Sequence, residues 1–385
     1  MVCGMPDLIL PPLSLYVHIP WCVKKCPYCD FNSHQCGQEL PEAAYVAALL
    51  DDLQHDRQYV QGRTLKSIFI GGGTPSLFHP SSIATLLTGI QKQIPLDPDC
   101  EITMEANPGT LERHGFASYR TAGVTRLSIG VQSFNNRQLS ALGRIHNAEQ
   151  AKLAITEAKH AGFKSYNLDL MHGLPQQSTA DALADLDQAI AWNAPHLSWY
   201  QLTIEPQTQF YSQPPKLPDD ETLWTIYEQG QQRLAAAGYQ AYEISGYAKP
   251  GFACQHNLNY WRFGDYIGIG CGAHGKITLP QQQQIIRTTK IKHPKGYLPS
   301  LVKMHTRQPI AARDCLLEFM MNYARLHAPI PYQDCLNYTG LALPRIQQAL
   351  EQGVRQGFIK AYDKHWHITP HGRLFMNEFL QTLMD

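Results

Sequence analysis

Three cysteines lie close together near the start of the chain, at Cys22, Cys26 and Cys29, directly after the apolar run 15–20. This C-x3-C-x2-C spacing constrains the chain strongly, because thiolates are soft ligands that suit iron–sulfur clusters. A four-iron cluster normally takes four thiolates, and no fourth cysteine follows at a ferredoxin-like spacing. Three thiolates leave one iron without a protein ligand, so the spacing predicts a cluster at which an external molecule binds.

The residues alone leave other uses of these cysteines open. A structural zinc site takes four ligands, usually from C-x2-4-C pairs, and His18 or His34 could complete one. Cys36 lies near enough to be a conceivable fourth cluster ligand. A disulfide framework is disfavoured, because nothing in the sequence is typical of a secreted protein.

The cysteine run resembles the signature of the radical S-adenosylmethionine (SAM) superfamily, including the aromatic Tyr28 before the last cysteine. The resemblance implies that Cys22, Cys26 and Cys29 bind a [4Fe-4S] cluster and that SAM chelates the fourth iron. It also implies that family's chemistry, in which a reduced cluster cleaves SAM and makes a 5′-deoxyadenosyl radical. Cys36 is not needed in such an arrangement.

Length and composition limit the number of domains, the kinds of partner and the cell compartment. A chain of 385 residues is long for one domain, so two domains, or one large barrel with an appendage, are expected. Lys plus Arg and Asp plus Glu both number 32, which gives no overall attraction to nucleic acid. Residues 1–12 do not resemble a signal peptide, and no apolar run approaches a membrane span of ~20 residues. Together with the cysteine usage, these features predict a cytoplasmic protein.

Strand and helix patterns alternate over the first 245 residues. Six units of this kind predict a parallel α/β sheet with right-handed crossovers. Six rather than eight units suggest an incomplete barrel, the partial (β/α)6 barrel that the resemblance also implies, although periodicity alone does not separate it from a doubly wound sheet. The predicted strands cover 15–19, 65–70, 101–105, 124–131, 166–170 and 196–203, and the predicted helices 41–59, 81–93, 111–122, 148–161, 180–192 and 221–237.

Polar residues follow five of these strands at the point where each strand ends. They are Cys22, Gly72, Glu105, Gln132 with Ser133, and Asp169. Because the active sites of parallel barrels gather at the carboxyl ends of the strands, we expect these residues to meet at one site.

The resemblance assigns a SAM pocket residue by residue. The glycine run at 71–73 is expected to line the amino group of SAM, and it lacks the lysine of a nucleotide triphosphate loop. SAM carries a cationic amine, a carboxylate and ribose hydroxyls, so its pocket needs carboxylates, a guanidinium and amides together. Taken singly, Arg144 could form an ion pair at the surface, and Asp169 could cap a helix. The residues that match SAM-contacting positions are Tyr16, Tyr28, Gly72, Gly73, Thr74, Glu105, Gln132, Arg144 and Asp169.

The pattern changes after residue 245. Residues 246–305 are predicted to be a connecting segment with a glycine-rich loop at 264–275. Residues 306–385 resemble a winged-helix module, with helices at 311–325 and 370–383 around a hairpin at 358–368. The apolar stripe of Ile346, Leu350 and Val354 lies on a helix with few basic residues, so a packing or partner role is favoured over DNA binding.

Three motifs, Tyr-x-His-Ile-Pro-Trp-Cys at 16–22, Gly-Gly-Gly-Thr-Pro-Ser at 71–76 and Gly-Val-Gln-Ser-Phe at 130–134, together resemble the branch of the superfamily around oxygen-independent coproporphyrinogen III oxidase. That branch also contains a haem chaperone, which binds haem and passes it to acceptor proteins. The oxidase motif has a further cysteine where this chain has Phe31, and the oxidase carries a longer N-terminal arm. The segment from His256 to Trp261 matches the H-N-x-x-Y-W signature of the chaperone.

The resemblance therefore predicts a haem chaperone that holds a [4Fe-4S] cluster and SAM, without necessarily turning SAM over. His256 is the predicted haem ligand, since histidine is a common axial ligand; otherwise it is a core histidine beside buried aromatics. The alternative function is coproporphyrinogen oxidase, which removes two propionate carboxylates. An RNA-modifying enzyme is disfavoured by the neutral charge. The expected partners are haem and an unidentified haem-acceptor protein, without nucleic acid, while a homodimer and peripheral membrane contact stay open.

Overall fold

The structure is a computed structural model that describes residues 7–37, 39–110 and 114–384. Its strands, in chain order, are β1 (Leu13–Ile19), β2 (Trp21–Cys22), β3 (His34–Gln35), β4 (Leu65–Gly72), β5 (Leu96–Ala106), β6 (Arg126–Gln132), β7 (Ser165–His172), β8 (His196–Gln201), β9 (Gln240–Ala241), β10 (Gly246–Ala248), β11 (Asp265–Ile269), β12 (His274–Leu279), β13 (Gln284–Lys290), β14 (Met304–Pro309), β15 (Ile330–Pro331), β16 (Ile359–Ala361) and β17 (His365–Ile368).

Helices connect the strands of the first half and make up most of the C-terminal part. They are α1 (Glu42–Asp56), α2 (Pro80–Gln93), α3 (Phe116–Thr121), α4 (Asn136–Ala141), α5 (Ala148–His160), α6 (Thr179–Ala191), α7 (Gln209–Ser212), α8 (Asp220–Ala236), α9 (Gln255–Trp261), α10 (Pro294–Tyr297), α11 (Cys315–Tyr323), α12 (Tyr332–Thr339), α13 (Leu343–Arg355), α14 (Pro370–Leu374) and α15 (Met376–Gln381).

One large sheet organises the chain, with the strand order β14-β13-β12-β11-β1-β4-β5-β6-β7-β8-β10-β9. From β11 through β1 and β4 to β8 all neighbours are parallel, and the strands at both flanks are antiparallel. The six predicted strands and the α/β class are confirmed. The sheet keeps two edges, which is consistent with a partial barrel.

The barrel strands are buried on both faces. In β1 every residue except Tyr16 is buried, and β4 is buried at six of its eight positions. Continuous burial of this kind is typical of parallel strands that are covered by helices on one side and by a core on the other.

Local hydrogen bonds set where two of the helices begin. Asn147 and Ser178 each form a reciprocal capping box at the first turn of α5 and α6, respectively. The predicted helix over 111–122 begins at Phe116, and its residues 111–113 lie outside the described residues.

The glycine-rich segment at 264–275 was predicted to be a loop, and that prediction is wrong. It contains β11, a turn and the start of β12, and β11 pairs with β1 in parallel from Leu13–Asp265 to Val17–Ile269. The glycines serve close strand packing, because a Cβ added at Gly268 would lie 1.9 Å from the carbonyl oxygen of His274. The segment after residue 246 thus extends the barrel sheet.

The C-terminal part has a core of its own. Strands β15, β17 and β16 form a small antiparallel sheet beside helices α11 to α15. Its buried residues include Phe319, Ile346 and Trp366, and they contact Leu8 and Phe263 from the first half of the fold. The predicted helix at 311–325 is shorter, at Cys315–Tyr323, and the one at 370–383 is two helices that meet at Phe375. In the described part of the chain, no helix is both long and apolar enough to cross a membrane.

Substituting Gly268 with Ala should destabilise the protein by about 1–3 kcal/mol, because the added methyl group overlaps the backbone of β12. The measurement is the shift in thermal midpoint. Gly37→Ala is the control, since a Cβ there meets open space. Equal midpoints for the two variants would contradict the close packing of β11 on β12.

Candidate functional site

A cavity of about 420 Å³ opens at the carboxyl ends of the parallel strands. We call it the cysteine cavity. The predicted residues that line it are Cys22, Cys26, Tyr28, Cys29, Gly72, Gly73, Thr74, Glu105, Gln132, Arg144 and Asp169. Three predicted residues are placed elsewhere. Tyr16 lines a neighbouring cavity, His256 is buried between helix α9 and strand β4, and the hydroxyl of Ser133 donates to Asp185.

Backbone contacts fix the cysteine loop against the first strands. The amide of Cys36 donates to the carbonyl of Cys22 at 2.8 Å, and the amide of Cys29 donates to the carbonyl of Cys26 at 3.1 Å. Strands β2 and β3 pair across the base of the loop. Cys36 itself is not part of the cavity lining. The loop therefore presents three thiols to the cavity.

These thiols suit a cluster better than a single ion. Among the described residues, no three His, Cys, Asp or Glu side chains are placed to hold one metal ion. In a [4Fe-4S] cluster each thiolate binds a different iron, so the three sulfurs need not converge on one point. Burial raises the pKa of the Cys22 thiol, and hydrogen bonds from Thr74 and Ser33 partly oppose it. Bound iron would favour the thiolate that burial disfavours.

Arg144 lies against the cysteine loop. One of its terminal nitrogens is 3.5 Å from the sulfur of Cys26, and the other donates to the carbonyl of Gly130 at 2.9 Å. Its Nε is buried and has no hydrogen-bond partner among the described residues. A buried guanidinium with a spare donor, next to a thiol, is suited to bind a ligand carboxylate or ribose oxygen.

Two carboxylates line the cavity, and neither forms a direct ion pair with a described residue, although the charge of Arg126 acts on Asp169. Glu105 accepts from the amide of Gly72 at 3.0 Å, and Asp169 accepts from Asn167 and Ser128 at 2.7 and 3.2 Å. Burial, and secondly the charge of Asp169, raise the pKa of Glu105 to about 7. Burial also raises the pKa of Asp169, against the hydrogen bonds it accepts. Such a pair favours a ligand that carries positive charge, as the amino and sulfonium groups of SAM do.

Gln132 ends β6 in an unusual backbone conformation. Its φ is +66°, in the left-handed region, where a non-glycine residue costs free energy. The hydroxyl of Tyr200 donates to its Oε1 at 2.9 Å. That hydrogen bond orients the side-chain amide so that its NH2 group is available to a ligand. Backbone strain is common at functional sites, so this conformation agrees with the predicted place of Gln132 in the SAM pocket.

The cavity also has walls that the sequence motifs did not indicate. Glu243 and Arg325 line it, and the Arg325 guanidinium lies 4.4 Å from the ring centre of Trp261. The buried oxygen Oε2 of Glu243 has no hydrogen-bond partner among the described residues. Arg325 follows α11, so the C-terminal part completes the cavity. Tyr200, at the end of the sixth barrel strand, could have been found by the strand-end rule; Glu243 and Arg325 have no such signal.

The H-N-x-x-Y-W segment forms helix α9 and divides between two environments. Asn257 and Trp261 line the cysteine cavity, whereas Tyr260 lines the neighbouring one. His256 is 1% exposed, and its Nδ1 is 2.9 Å from the hydroxyl of Ser67. Its Nε2 has no hydrogen-bond partner in the described residues. Burial, then Arg126, lower the pKa of His256 to about 3, so the ring is neutral.

Comparison with known proteins agrees with this geometry. Residues 16–189 match the Radical SAM superfamily, and residues 310–375 match the HemN C-terminal domain, so fold and site define a radical SAM protein. The chain is 56% identical to "Heme chaperone HemW" of Escherichia coli (strain K12) over 375 residues, which cover 97% of this chain and 99% of that protein. With this identity over nearly the full length, the chain belongs to the HemW family.

Two further relatives extend the comparison. "Heme chaperone HemW" of Haemophilus influenzae is 55% identical, with 97% of this chain and 98% of that protein covered. Among solved structures, coproporphyrinogen III oxidase (HemN) from Escherichia coli aligns with a TM-score of 0.81, over 97% of this chain and 90% of that one. Its sequence identity is 23%, so it shows the shared fold alone.

Substituting Cys22, Cys26 or Cys29 with Ser should abolish most of the iron and sulfide that anaerobic reconstitution incorporates, since each thiol lines the cavity. Iron and sulfide per chain, with the visible absorption band, are the measurement. Cys36→Ser is the matched control in the same loop and should keep its iron. Equal losses in all four variants would contradict a three-cysteine site.

Proposed function

We propose that this protein is a haem chaperone, which binds haem and transfers it to an acceptor protein. The proposal is supported by relatives that bear this name and align along nearly their whole length. The observation that carries it is the placement of α9, whose motif residues border both the cysteine cavity and the cavity beside it. The alternative, coproporphyrinogen oxidase, is supported by a likeness of fold and by the match of residues 310–375 to the HemN C-terminal domain.

We further propose that Cys22, Cys26 and Cys29 hold a [4Fe-4S] cluster and that SAM occupies the rest of the cysteine cavity. When bound, a reduced cluster supplies an electron to SAM. The chain's own groups bind and orient SAM. Glu105 and Asp169 face its cationic groups, and Arg144 faces its carboxylate. Gly73 lets the backbone approach, since a Cβ there would lie 2.6 Å from the carbonyl oxygen of Trp21. Tyr28 packs beside Phe210, with ring centres 6.3 Å apart, and supports the loop.

The sequence motif predicts that His256 is the haem ligand. Its unpartnered Nε2 could bind iron, but the ring packs against Phe69 and Tyr260 at 5.1 and 4.8 Å between ring centres. Haem would reach this nitrogen only if helix α9 moved away from the sheet. The division into residues 1–245, 246–305 and 306–385, the cytoplasmic location and the acceptor partner are likewise proposals. The balanced charge supports a partner that is not nucleic acid.

The haem function is tested by anaerobic titration of the cluster-reconstituted protein, followed at the Soret band. Saturation near one haem per chain, with haem retained through gel filtration, is expected. Coproporphyrinogen turnover is assayed in parallel with SAM and a reductant. No saturable binding, together with decarboxylation of the porphyrinogen, would replace the chaperone with the oxidase.

SAM affinity should fall about tenfold between pH 8 and pH 6, because protonation of Glu105, whose pKa is about 7, removes the charge that attracts the ligand. The sign follows from the raised pKa: the carboxylate is ionised above pH 7 and neutral below it. Equilibrium binding of SAM is the measurement.

Glu105→Gln should bind SAM weakly and with a flatter pH dependence. Glu149→Gln, on the exposed face of α5, is the control and should behave like the wild type. An unchanged pH dependence in Glu105→Gln would assign the titration to another group.

A further inference from the structure

A second cavity, of about 630 Å³, lies beside the cysteine cavity. We call it the tyrosine cavity, after Tyr16, Tyr260 and Tyr266, which line it. The two cavities share a wall of five residues: Asp30, Phe31, Ser33, Gly72 and Glu105. Its volume falls within the ~300–1,000 Å³ that is typical of cofactor pockets, and its three phenol rings supply flat apolar surface.

The aromatic wall is held in place from behind. The rings of Tyr260 and Tyr266 meet edge to face, with centres 4.3 Å apart, and Tyr16 stacks on Phe69. Arg287 donates to the Tyr266 hydroxyl at 2.9 Å. All three tyrosines are partly exposed, so their rings remain accessible from the cavity. A wall of this kind is suited to a large planar ligand.

Three histidines also line the tyrosine cavity, and their hydrogen bonds distinguish them. His18 uses both ring nitrogens, with Tyr16 at 3.0 Å and the carbonyl of Asn32 at 2.8 Å. His34 bonds the Asn32 side chain at 3.2 Å. The ring nitrogens of His274 make no hydrogen bond to any described residue, and the side chain is exposed. His274 is therefore the histidine whose nitrogen is available to a ligand.

The backbone of His274 is part of the large sheet. It is the first residue of β12, paired with Thr289, and the neighbouring amide of Ala273 donates to the carbonyl of Gly270 at 3.0 Å. Partial burial, then Lys292 and Arg287, lower the pKa of His274. The imidazole is consequently neutral at pH 7, which is the form that binds a metal.

Positive charge lies among the residues that line this cavity. Lys25 and Lys292 are exposed there, and Lys25 donates one hydrogen bond, to the carbonyl of Phe31 at 3.0 Å. Two carboxylates also line it, Asp30 and Glu105, and Glu105 already accepts from Gly72. The ammonium groups of the two lysines are free to pair with carboxylates of a bound molecule.

We infer that the tyrosine cavity is the haem site, with the porphyrin against Tyr16, Tyr260 and Tyr266, the iron on His274, and the propionates near Lys25 and Lys292. This inference rests on the proposed haem-binding function and names its site. His256 then acts as a positioning residue, because its ring supports Tyr260 from inside the fold at 4.8 Å.

The test is an anaerobic haem titration of the reconstituted full chain, with the Soret band and resonance Raman signature of the iron ligands recorded for each variant. His274→Ala should weaken haem binding by at least about tenfold and change the ligand signature, which added imidazole should restore. His55→Ala, an exposed histidine on α1, is the control and should match the wild type. His256→Ala should keep the wild-type ligand signature even where its affinity falls.

A second pair of variants tests the propionate contacts without touching the iron. Lys25→Ala with Lys292→Ala should weaken binding of haem but not of haem dimethyl ester, which lacks the two charges. Thermal unfolding confirms that each variant is folded.

The outcomes separate the site from the function. Haem binding by the wild type with an unchanged His274→Ala overturns the site and leaves the chaperone function standing. Loss of the ligand signature in His256→Ala, with His274→Ala intact, also overturns the site. No saturable haem binding by the wild type overturns both.

Discussion

The pairing of β1 with two parallel neighbours is the constraint on which both cavities depend. On one side β4 brings Gly72 opposite Ile19, at the strand end that leads into the cysteine loop. On the other side β11 runs alongside as far as Ile269, and the turn that follows it leads to His274. Because parallel strands end at the same edge, the two halves of the chain deliver their polar residues to adjoining places. A cluster-and-SAM site and a haem site can thus share one wall.

The cysteine cavity carries free-energy costs that a ligand would relieve. Burial raises the pKa of the Glu105 and Asp169 carboxyl groups, the charge of Asp169 raises that of Glu105 further, and Gln132 has a left-handed backbone. Arg144 keeps a buried donor unpaired. In a site built only for stability such groups would be paired or replaced, whereas at binding sites they are common. Arg325 and Glu243 add charge from distant parts of the chain, so the C-terminal part also contributes to the binding site.

The sequence predicted the barrel strands well, because each is a short apolar run that ends in a polar residue. It also predicted most residues of the cysteine cavity, by the strand-end rule together with a specific motif. It missed β11, since Gly264, Gly268 and Gly270 resemble a loop when the close approach of β12 is unknown. It could not separate Trp261 from His256, because the motif does not show which residue faces the cavity; five residues apart, the two lie about 140° apart around the helix. Tyr266 and His274 lie in no motif, and only the fold brings them beside Tyr16.

We propose that two iron sites lie side by side across β1. The most direct measurement is an anomalous difference map, at the iron edge, from anaerobic crystals of the reconstituted protein with haem. The account predicts one peak enclosed by Cys22, Cys26 and Cys29 and a second next to the ring of His274. A second peak at His256, or anywhere outside the tyrosine cavity, would contradict it.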